Sequence, residues 1–115
     1  EGLTAAWTPY YRSYAHIGAD PLVGRKLTAL LSDAGARPCF ATQVFYGACA
    51  GMEQFQGVVE NLVGVLKGAR SIVLSAGEIS ARNYDAAVVN LRAFQDLPNA
   101  AVWYVINWAE GRAPE

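Results

Sequence analysis

The chain has 115 residues, of which 53% are hydrophobic and 17% charged, and its formal net charge is −1 at pH 7. This length fits one small domain, and the composition is far from the polar, charge-rich balance of disordered segments. The nine basic residues are spread along the sequence, so neither nucleic acid nor an anionic membrane is an expected partner. The longest apolar run, residues 100–106, is much shorter than the roughly 20 residues that span a bilayer. The sequence therefore indicates a soluble, cytoplasmic protein.

Cysteine and histidine are scarce in this chain. Cys39, Cys49 and the single histidine, His16, are too few for a disulfide framework or a spaced set of metal ligands. We interpret both cysteines as small apolar residues and predict no metal site. The chain opens on Glu1 without a methionine or a signal-peptide pattern, so we expect that it was cut from a longer chain. Residues 1–115 then form a single domain or a fragment.

Two helices are expected over residues 1–37. In the first, apolar residues recur every three or four positions: Leu3, Trp7, Tyr10, Tyr14 and Ile17. Gly18 is a natural stop. A proline deep inside a helix removes a hydrogen bond, so the regular helix is expected to begin near Thr8, with Pro9 in its first turn.

Asp20-Pro21 predicts the start of the second helix, because aspartate can cap free amide groups and proline fits the first helical position. Gly35 predicts its end. The predicted buried stripe of this helix consists of Leu22, Val23, Leu27, Leu30, Leu31 and Ala34.

A strand over residues 38–46 and a final strand over residues 101–109 are predicted from short runs rich in aromatic and β-branched residues. Between the two strands, the sequence predicts a helical insert over residues 51–97. Its first helix is expected to end at Gly68, a shorter one to cover residues 69–76, and a third to begin at Ser80 and end before Pro98. The expected apolar positions of the insert are Met52, Phe55, Val59, Leu62 and Leu66, followed by Tyr84, Val88, Leu91 and Phe94.

Two strands make a marginal sheet in water, because a lone pair buries little and leaves unpaired backbone groups on both edges. They need a larger sheet to join. That sheet comes either from missing residues of the same parent chain or from a second copy of this one. We therefore expect the isolated chain to form a homo-oligomer, such as a homodimer.

Residues 18–35 carry the pattern GxDPxxGRxLxxLLxxAG, and a segment with Trp7 and three tyrosines precedes it. The chain finishes with Trp103-Tyr104-Val105 and an AxGRxP sequence over residues 109–114. In this order, these features resemble the last third of small-molecule methyltransferases of class I, which use S-adenosylmethionine. The resemblance covers about half of the chain, at its two ends. The helical segment from Gly51 to Leu97 departs from simpler members, which have a short connection there.

The resemblance implies an α+β fragment of an α/β Rossmann-like methyltransferase, mostly helical, whose two strands form an antiparallel hairpin at the sheet edge. In that family the donor sits on a glycine-rich turn in the N-terminal half, which this sequence does not contain. No cofactor is therefore expected in this fragment, whereas the parent enzyme would bind S-adenosylmethionine and a small-molecule methyl acceptor. The isolated chain is expected to be inactive, with no catalytic residue of its own.

Five residues are candidates for acceptor binding. Trp7, Tyr10, Tyr11 and Tyr14 present flat surfaces and hydroxyls that could line a pocket for an apolar or aromatic acceptor, or could belong to the core. Tyr11 lies off the main stripe. Arg25 could bind an anionic group of the substrate, or it could pair with Asp20 or Asp33.

Weaker signals favour structural roles. Gly47–Gly51 follows a strand and precedes a helix, as donor-binding turns do, but its spacing is not GxGxxG and an ordinary turn is favoured. His16 could accept a proton, but no partner is identifiable and a surface position is favoured. The scattered carboxylates are expected on solvated helix faces: Glu53, Glu60, Glu78 and Asp85.

Two other functions remain open from the sequence. One is a non-enzymatic module that self-associates through the apolar faces of the helical insert. The other is a small ligand-binding protein that uses the aromatic helix.

Overall fold

The computed structural model describes residues 4–114. In that range the element order is α1 (Thr4–His16), α2 (Leu27–Asp33), β1 (Arg37–Cys49), α3 (Phe55–Ser75), α4 (Ala81–Ala93) and β2 (Ala101–Arg112). Short 3₁₀ turns lie at Val23–Lys26 and Phe94–Asp96. The strands form a two-stranded antiparallel sheet, so the predicted α+β class, with a helical insert between two antiparallel strands, is confirmed.

The described chain divides into two compact units. The helical unit consists of residues 4–19 and 47–102, and the ribbon unit consists of residues 20–46 and 103–114. Both strands contribute residues to both units. No helix within residues 4–114 combines the length and the apolar character needed to cross a membrane.

The core of the helical unit lies where α1, α3 and α4 contact one another. On one face of each of α3 and α4, apolar side chains recur at helical spacing and are removed from water, and this removal is the main favourable term in folding. Phe55, Val59 and Leu66 of α3 and Tyr84, Val88 and Leu91 of α4 are buried, as their spacing predicts. The other buried side chains of the two helices are Val58, Val63, Val73 and Ala87.

Helix α3 runs unbroken through Gly68 for 21 residues, so the prediction of two shorter helices divided at Gly68 is wrong. Gly68 is not among the glycines with a positive φ, and it therefore does not end the helix. Burial of Val63, Leu66 and Val73 on one face carries the helix past a residue of low helix propensity. The start of α4 is confirmed, because the Ser80 side chain accepts a hydrogen bond from the Asn83 amide at 3.2 Å.

The register of α3 against α4 is marked by polar contacts. The buried Tyr84 hydroxyl donates to the Leu66 carbonyl at 2.7 Å. On the exposed rims, Arg70 forms a two-pronged ion pair with Asp85, in which both N–O distances are 2.8 Å. Arg92 pairs in the same way with Glu60 at 2.7 and 2.9 Å.

These carboxylates were predicted to lie on solvated faces; the Glu60 and Asp85 side chains are indeed 41% and 53% exposed, and each also pairs with an arginine of the neighbouring helix. Hydrogen bonding to Arg92 lowers the pKa of Glu60, and hydrogen bonding to Arg70 lowers the pKa of Asp85. Glu78 also forms an ion pair, with Arg12 of α1 at 3.0 Å. Exposed pairs of this kind contribute little to stability.

Helix α1 buries a face of small side chains. The sequence left open whether Trp7, Tyr10 and Tyr14 belong to the core or line a pocket, and the buried positions are Ala6, Pro9 and Ser13. Ile17 is 57% exposed, and Leu3 lies outside the described residues. The helix also begins at Thr4 and not near Thr8, with Pro9 inside it.

The reason that this face is buried is close packing. Ala6 and Ser13 are small, and with Pro9 they let α1 approach α3 and α4 more closely than large aromatic rings would. The buried Ser13 hydroxyl donates to the Tyr10 carbonyl at 2.7 Å and is thereby satisfied. Gly18 has a φ of 67°, which confirms the predicted stop after α1.

In the ribbon unit, β1 and β2 run past each other in opposite directions. Gln43 faces Asn107, with a side-chain hydrogen bond of 3.2 Å, and the Tyr46 ring packs against Tyr104 with a centroid distance of 5.1 Å. Because side chains alternate along a strand, this register assigns Val44 and Ile106 to one face and Gln43 and Asn107 to the other.

The strands are longer than predicted, since pairing continues beyond Tyr46 through Gly47, Ala48 and Cys49. At that end the Ala50 amide donates to the Ala100 carbonyl at 2.8 Å. The predicted turn at Gly47–Gly51 is therefore wrong for its first three residues, and the chain turns at Ala50 and Gly51. The φ of Gly51 is 92°, a conformation that glycine adopts without strain.

No side chain of residues 20–46 or 103–114 is buried. Yet eleven large apolar side chains lie there, each between 43% and 65% exposed: Leu22, Val23, Leu30, Phe40, Val44, Phe45, Tyr46, Trp103, Val105, Ile106 and Trp108. The predicted buried stripe of the second helix is therefore wrong.

The second helix also differs in form from its prediction. Asp20 does cap the local chain, because its carboxylate accepts a hydrogen bond from the Leu22 amide at 2.8 Å. The chain then makes the 3₁₀ turn Val23–Lys26, and α2 begins only at Leu27. Gly35, with a φ of 81°, follows the helix end as predicted.

Replacing Gly68 by alanine tests the continuous form of α3. Nothing lies within 4 Å of the added methyl group, so Gly68→Ala should raise the free energy of unfolding by about 0.5–1 kcal/mol through helix propensity. Gly18→Ala is the matched control, because that site is equally open but has a positive φ. It should lower the free energy of unfolding by about 1 kcal/mol. Urea unfolding followed by circular dichroism measures both, and a destabilised Gly68→Ala protein would contradict an unbroken helix.

Candidate functional site

An aromatic cluster lies on α1 of the helical unit and consists of Trp7, Tyr10, Tyr11 and Tyr14. The Tyr10 ring is central, with centroid distances of 5.5 Å to Trp7, 5.6 Å to Tyr11 and 5.3 Å to Tyr14. All three contacts are close to edge-on, an arrangement that aromatic quadrupoles favour. Helical spacing of three and four residues places the rings side by side.

The cluster lies at the surface of the helical unit. Tyr11 is 53% exposed, and Trp7, Tyr10 and Tyr14 are half-buried. The small face of α1 packs against α3 and α4, so the aromatic rings are left available for contact with a ligand. The four aromatic residues singled out from the sequence are thus brought together outside the core.

The polar centre of the cluster is a pair of phenols. The Tyr10 and Tyr14 hydroxyl oxygens lie 2.7 Å apart, so one donates its proton to the other. Burial, together with the hydrogen bond to Tyr14, raises the pKa of Tyr10 to about 12. At neutral pH Tyr10 is therefore protonated, which makes it a hydrogen-bonding group and not a base.

A second group of candidate residues surrounds Arg25 in the ribbon unit. Here a cleft of about 720 Å³ is lined by Gly24, Arg25, Leu27, Thr28, Ala41, Thr42, Gln43, Asn107, Trp108 and Ala109. Asn107 packs closely on Gly24, because a Cβ atom at residue 24 would lie 2.8 Å from the Asn107 amide nitrogen. Any residue other than glycine at position 24 would therefore displace the side-chain amide of Asn107.

Of the two acidic partners considered for Arg25, Asp20 is taken by another residue. The Lys26 ammonium lies 2.7 Å from the Asp20 carboxylate, and this hydrogen bond, with that from the Leu22 amide, lowers the pKa of Asp20. Asp33 forms no ion pair within residues 4–114, and neither does Arg25. Arg25 therefore does not pair with Asp20. Its guanidinium remains available to bind an anionic group of a ligand.

Other candidates remain isolated. His16 is exposed at the end of α1, in agreement with a surface role. Both cysteines are free thiols, and the Cys39 thiol lies 3.7 Å from the Glu110 carbonyl. In the described part of the chain, no group of three or more histidine, cysteine, aspartate or glutamate side chains is arranged to hold a metal ion.

The sequence did not indicate that Gln43, Thr28 and Asn107 join Arg25. Their approach depends on the pairing register of the two strands, which short aromatic runs do not specify. A weak signal existed in the polar residues Gln43 and Asn107, each placed within an otherwise apolar strand.

The phenol pair can be tested through its ionisation. Tyr14→Phe removes one hydroxyl, so the pKa of Tyr10 should fall from about 12 toward its usual 10 while burial of the ring is retained. Tyr11→Phe removes an exposed hydroxyl outside the pair, whose contribution to the raised pKa of Tyr10 is smaller than those of Tyr14, so it should lower that pKa less than Tyr14→Phe does. Carbon-13 NMR titration of the tyrosine Cζ signals measures each value, and an unchanged Tyr10 in Tyr14→Phe would show that the hydroxyls do not interact.

Comparisons with protein-family models, with curated proteins and with solved structures found no match to this chain. Its function is therefore inferred from its residues and their geometry.

Proposed function

We propose that this chain is the acceptor-side, C-terminal portion of a class I methyltransferase that transfers a methyl group from S-adenosylmethionine to a small molecule. In this proposal the ribbon unit is the edge of an α/β Rossmann-like sheet, the remainder of which belongs to the donor-binding half. The isolated chain neither binds the donor nor transfers methyl groups.

The observation that carries the proposal is the ribbon unit without a buried side chain. Val44 and Ile106 lie opposite each other on one face and are 44% and 46% exposed, while Phe45 and Trp103 stack at 5.4 Å and are 65% and 56% exposed. Exposing this much apolar surface costs free energy, which burial in a larger sheet and its helical layers would recover. A hairpin taken from the sheet edge of a larger α/β domain would expose apolar side chains in this way.

The order of elements supports the same assignment. A 3₁₀ turn and helix over Val23–Lys26 and Leu27–Asp33 lead into β1, and β2 then returns antiparallel beside it. The resembling family ends with this succession, and the residue pattern that carries the resemblance occupies the same elements. The helical pair α3 and α4 then corresponds to an elaboration between the two last strands.

The aromatic cluster of α1 supports an apolar or aromatic acceptor. Methyl transfer requires the acceptor atom to be aligned with the methyl group in a water-poor site, so positioning carries most of the catalysis. Trp7 and Tyr11 offer flat apolar surface, and the Tyr10–Tyr14 pair offers hydrogen bonds to a polar substituent. Such a surface binds and orients an acceptor without performing acid–base chemistry itself.

Calorimetry with S-adenosylmethionine tests the claim about the isolated chain. We expect no measurable binding, because the sequence contains no glycine-rich turn after a strand that ends in an acidic residue. A dissociation constant in the micromolar range would overturn the proposal. The positive test is the gene upstream of Glu1, which should encode such a strand and turn. The longer protein should then bind the donor, whereas a start codon close to Glu1 would remove the donor half from the proposal.

A self-associating module is the second candidate, and the same exposed ribbon favours it. In this case the partner sheet is supplied by a second copy, and association should give a discrete dimer. A double substitution of Val44 and Ile106 by threonine keeps both residues β-branched while making the exposed face polar. It should abolish dimer formation, whereas Val89→Thr, at a 66% exposed position on α4, should have no effect. Sedimentation velocity measures this, and a monomer in the unsubstituted chain would contradict the module.

A further inference from the structure

The cleft around Arg25 has the dimensions of a small-molecule site. Its volume of about 720 Å³ falls within the roughly 300–1,000 Å³ typical of ligand pockets. All its lining residues belong to the ribbon unit, so it is formed by the short helical segment and the sheet face that carries Gln43 and Asn107. The aromatic cluster of α1 contributes nothing to it.

Arg25 forms no ion pair with any residue of the described range 4–114. Arg25 is the single ionised side chain among the residues that line it, and none of these residues is acidic. The nearest acid in sequence, Asp20, is engaged by Lys26 and by the Leu22 amide. The cleft therefore carries one positive charge, which suits a ligand with one negative charge.

Neutral polar groups lie beside this charge. The Gln43 amide nitrogen donates to the Asn107 amide oxygen at 3.2 Å, which holds the two side chains together. Within residues 4–114 the Asn107 amide nitrogen has no acceptor, so it can donate to a ligand. Thr28, which carries a hydroxyl, also lines the cleft. A guanidinium, an amide and a hydroxyl form a donor set that matches the two oxygens of a carboxylate.

The remaining wall is apolar. Leu27, Ala41 and Ala109 contribute hydrocarbon surface to the cleft. A ligand that fits both parts combines one anionic group with an apolar body. A phosphate dianion fits less well, because phosphate sites usually supply a second positive charge or several converging backbone amides.

We propose that this cleft binds small carboxylic acids, with Arg25 and Asn107 holding the carboxylate and with Leu27 and Ala41 contacting the apolar body. The proposal concerns the ribbon unit alone and does not require that the chain be part of a methyltransferase. If the chain is such a part, the carboxylate belongs to the acceptor.

The test is an NMR titration of the full 115-residue chain with sodium benzoate, beside benzamide, which has the same shape without the charge. Benzoate should shift the Gly24, Thr28 and Asn107 signals, with a dissociation constant on the order of a few millimolar. Benzamide should bind at least about tenfold more weakly, since it lacks the charge-assisted hydrogen bonds.

Two variants separate a built site from general attraction to positive charge. Arg25→Gln should weaken benzoate binding about tenfold, whereas Arg82→Gln, the same change on the helical unit, should leave it unaltered. Gly24→Ala retains the charge but displaces the Asn107 amide, so it should also weaken binding. Amide spectra of each variant establish that the fold is kept.

Equal binding of benzoate and benzamide would overturn the proposal, as would an undiminished affinity in Arg25→Gln. Shifts spread evenly over the exposed arginines would show attraction to charge without a site. None of these results depends on S-adenosylmethionine, so the failure of this proposal is distinguishable from the failure of the proposed function.

Discussion

Apolar burial in this protein is confined to the helical unit, and the ribbon unit is built of apolar residues that the described chain does not cover. Water exclusion is the main source of folding free energy, so the two units differ in what holds them. In the helical unit, Leu66 and Tyr84 lie in a core shared by three helices. In the ribbon unit, the backbone ladder and cross-strand contacts such as Phe45–Trp103 are the main stabilising features.

This uneven burial underlies both candidate functions. A two-stranded ribbon is marginal in water, and half-exposed tryptophan and isoleucine side chains on it favour any partner that can exclude solvent. A donor-binding half of a methyltransferase and a second copy of the chain both meet that need. The two candidates differ in whether the partner is the donor-binding half or a second copy, and in whether a nucleotide cofactor is bound.

The polar contacts have a different role from the core. Arg70–Asp85 and Arg92–Glu60 lie on exposed rims of α3 and α4, where water screens them, so they contribute little to stability. In the ribbon unit, Lys26 pairs with Asp20, the acid closest to Arg25 in sequence. Arg25 itself forms no ion pair within residues 4–114.

The sequence by itself determined the element types and their order: helices before a strand, a helical insert, and a final strand. It also located local signals that depend only on neighbouring residues, such as the Ser80 cap and the stop at Gly18. The buried positions of α4 followed from the spacing of Tyr84, Val88 and Leu91, because a helix with one apolar face has a single way to bury it.

Only the tertiary structure decided which face of α1 is buried. Two sets of residues recur at helical spacing in α1: the large set Trp7, Tyr10 and Tyr14, and the small set Ala6, Pro9 and Ser13. Close packing against two other helices buries the small set. Burial likewise decided that α3 continues through Gly68. The apolar side chains on the buried face of α3 outweigh the low helix propensity of this one glycine.

The Arg25 cleft lay beyond sequence reasoning for the same physical reason. Gln43 and Asn107 are 64 residues apart in the chain, and they meet because the strands pair in one register. A shift of one strand by one residue would place the two side chains on opposite faces of the sheet. Local patterns fix what each segment becomes, whereas the contacts between distant segments, and so the sites they form, depend on how those segments pack.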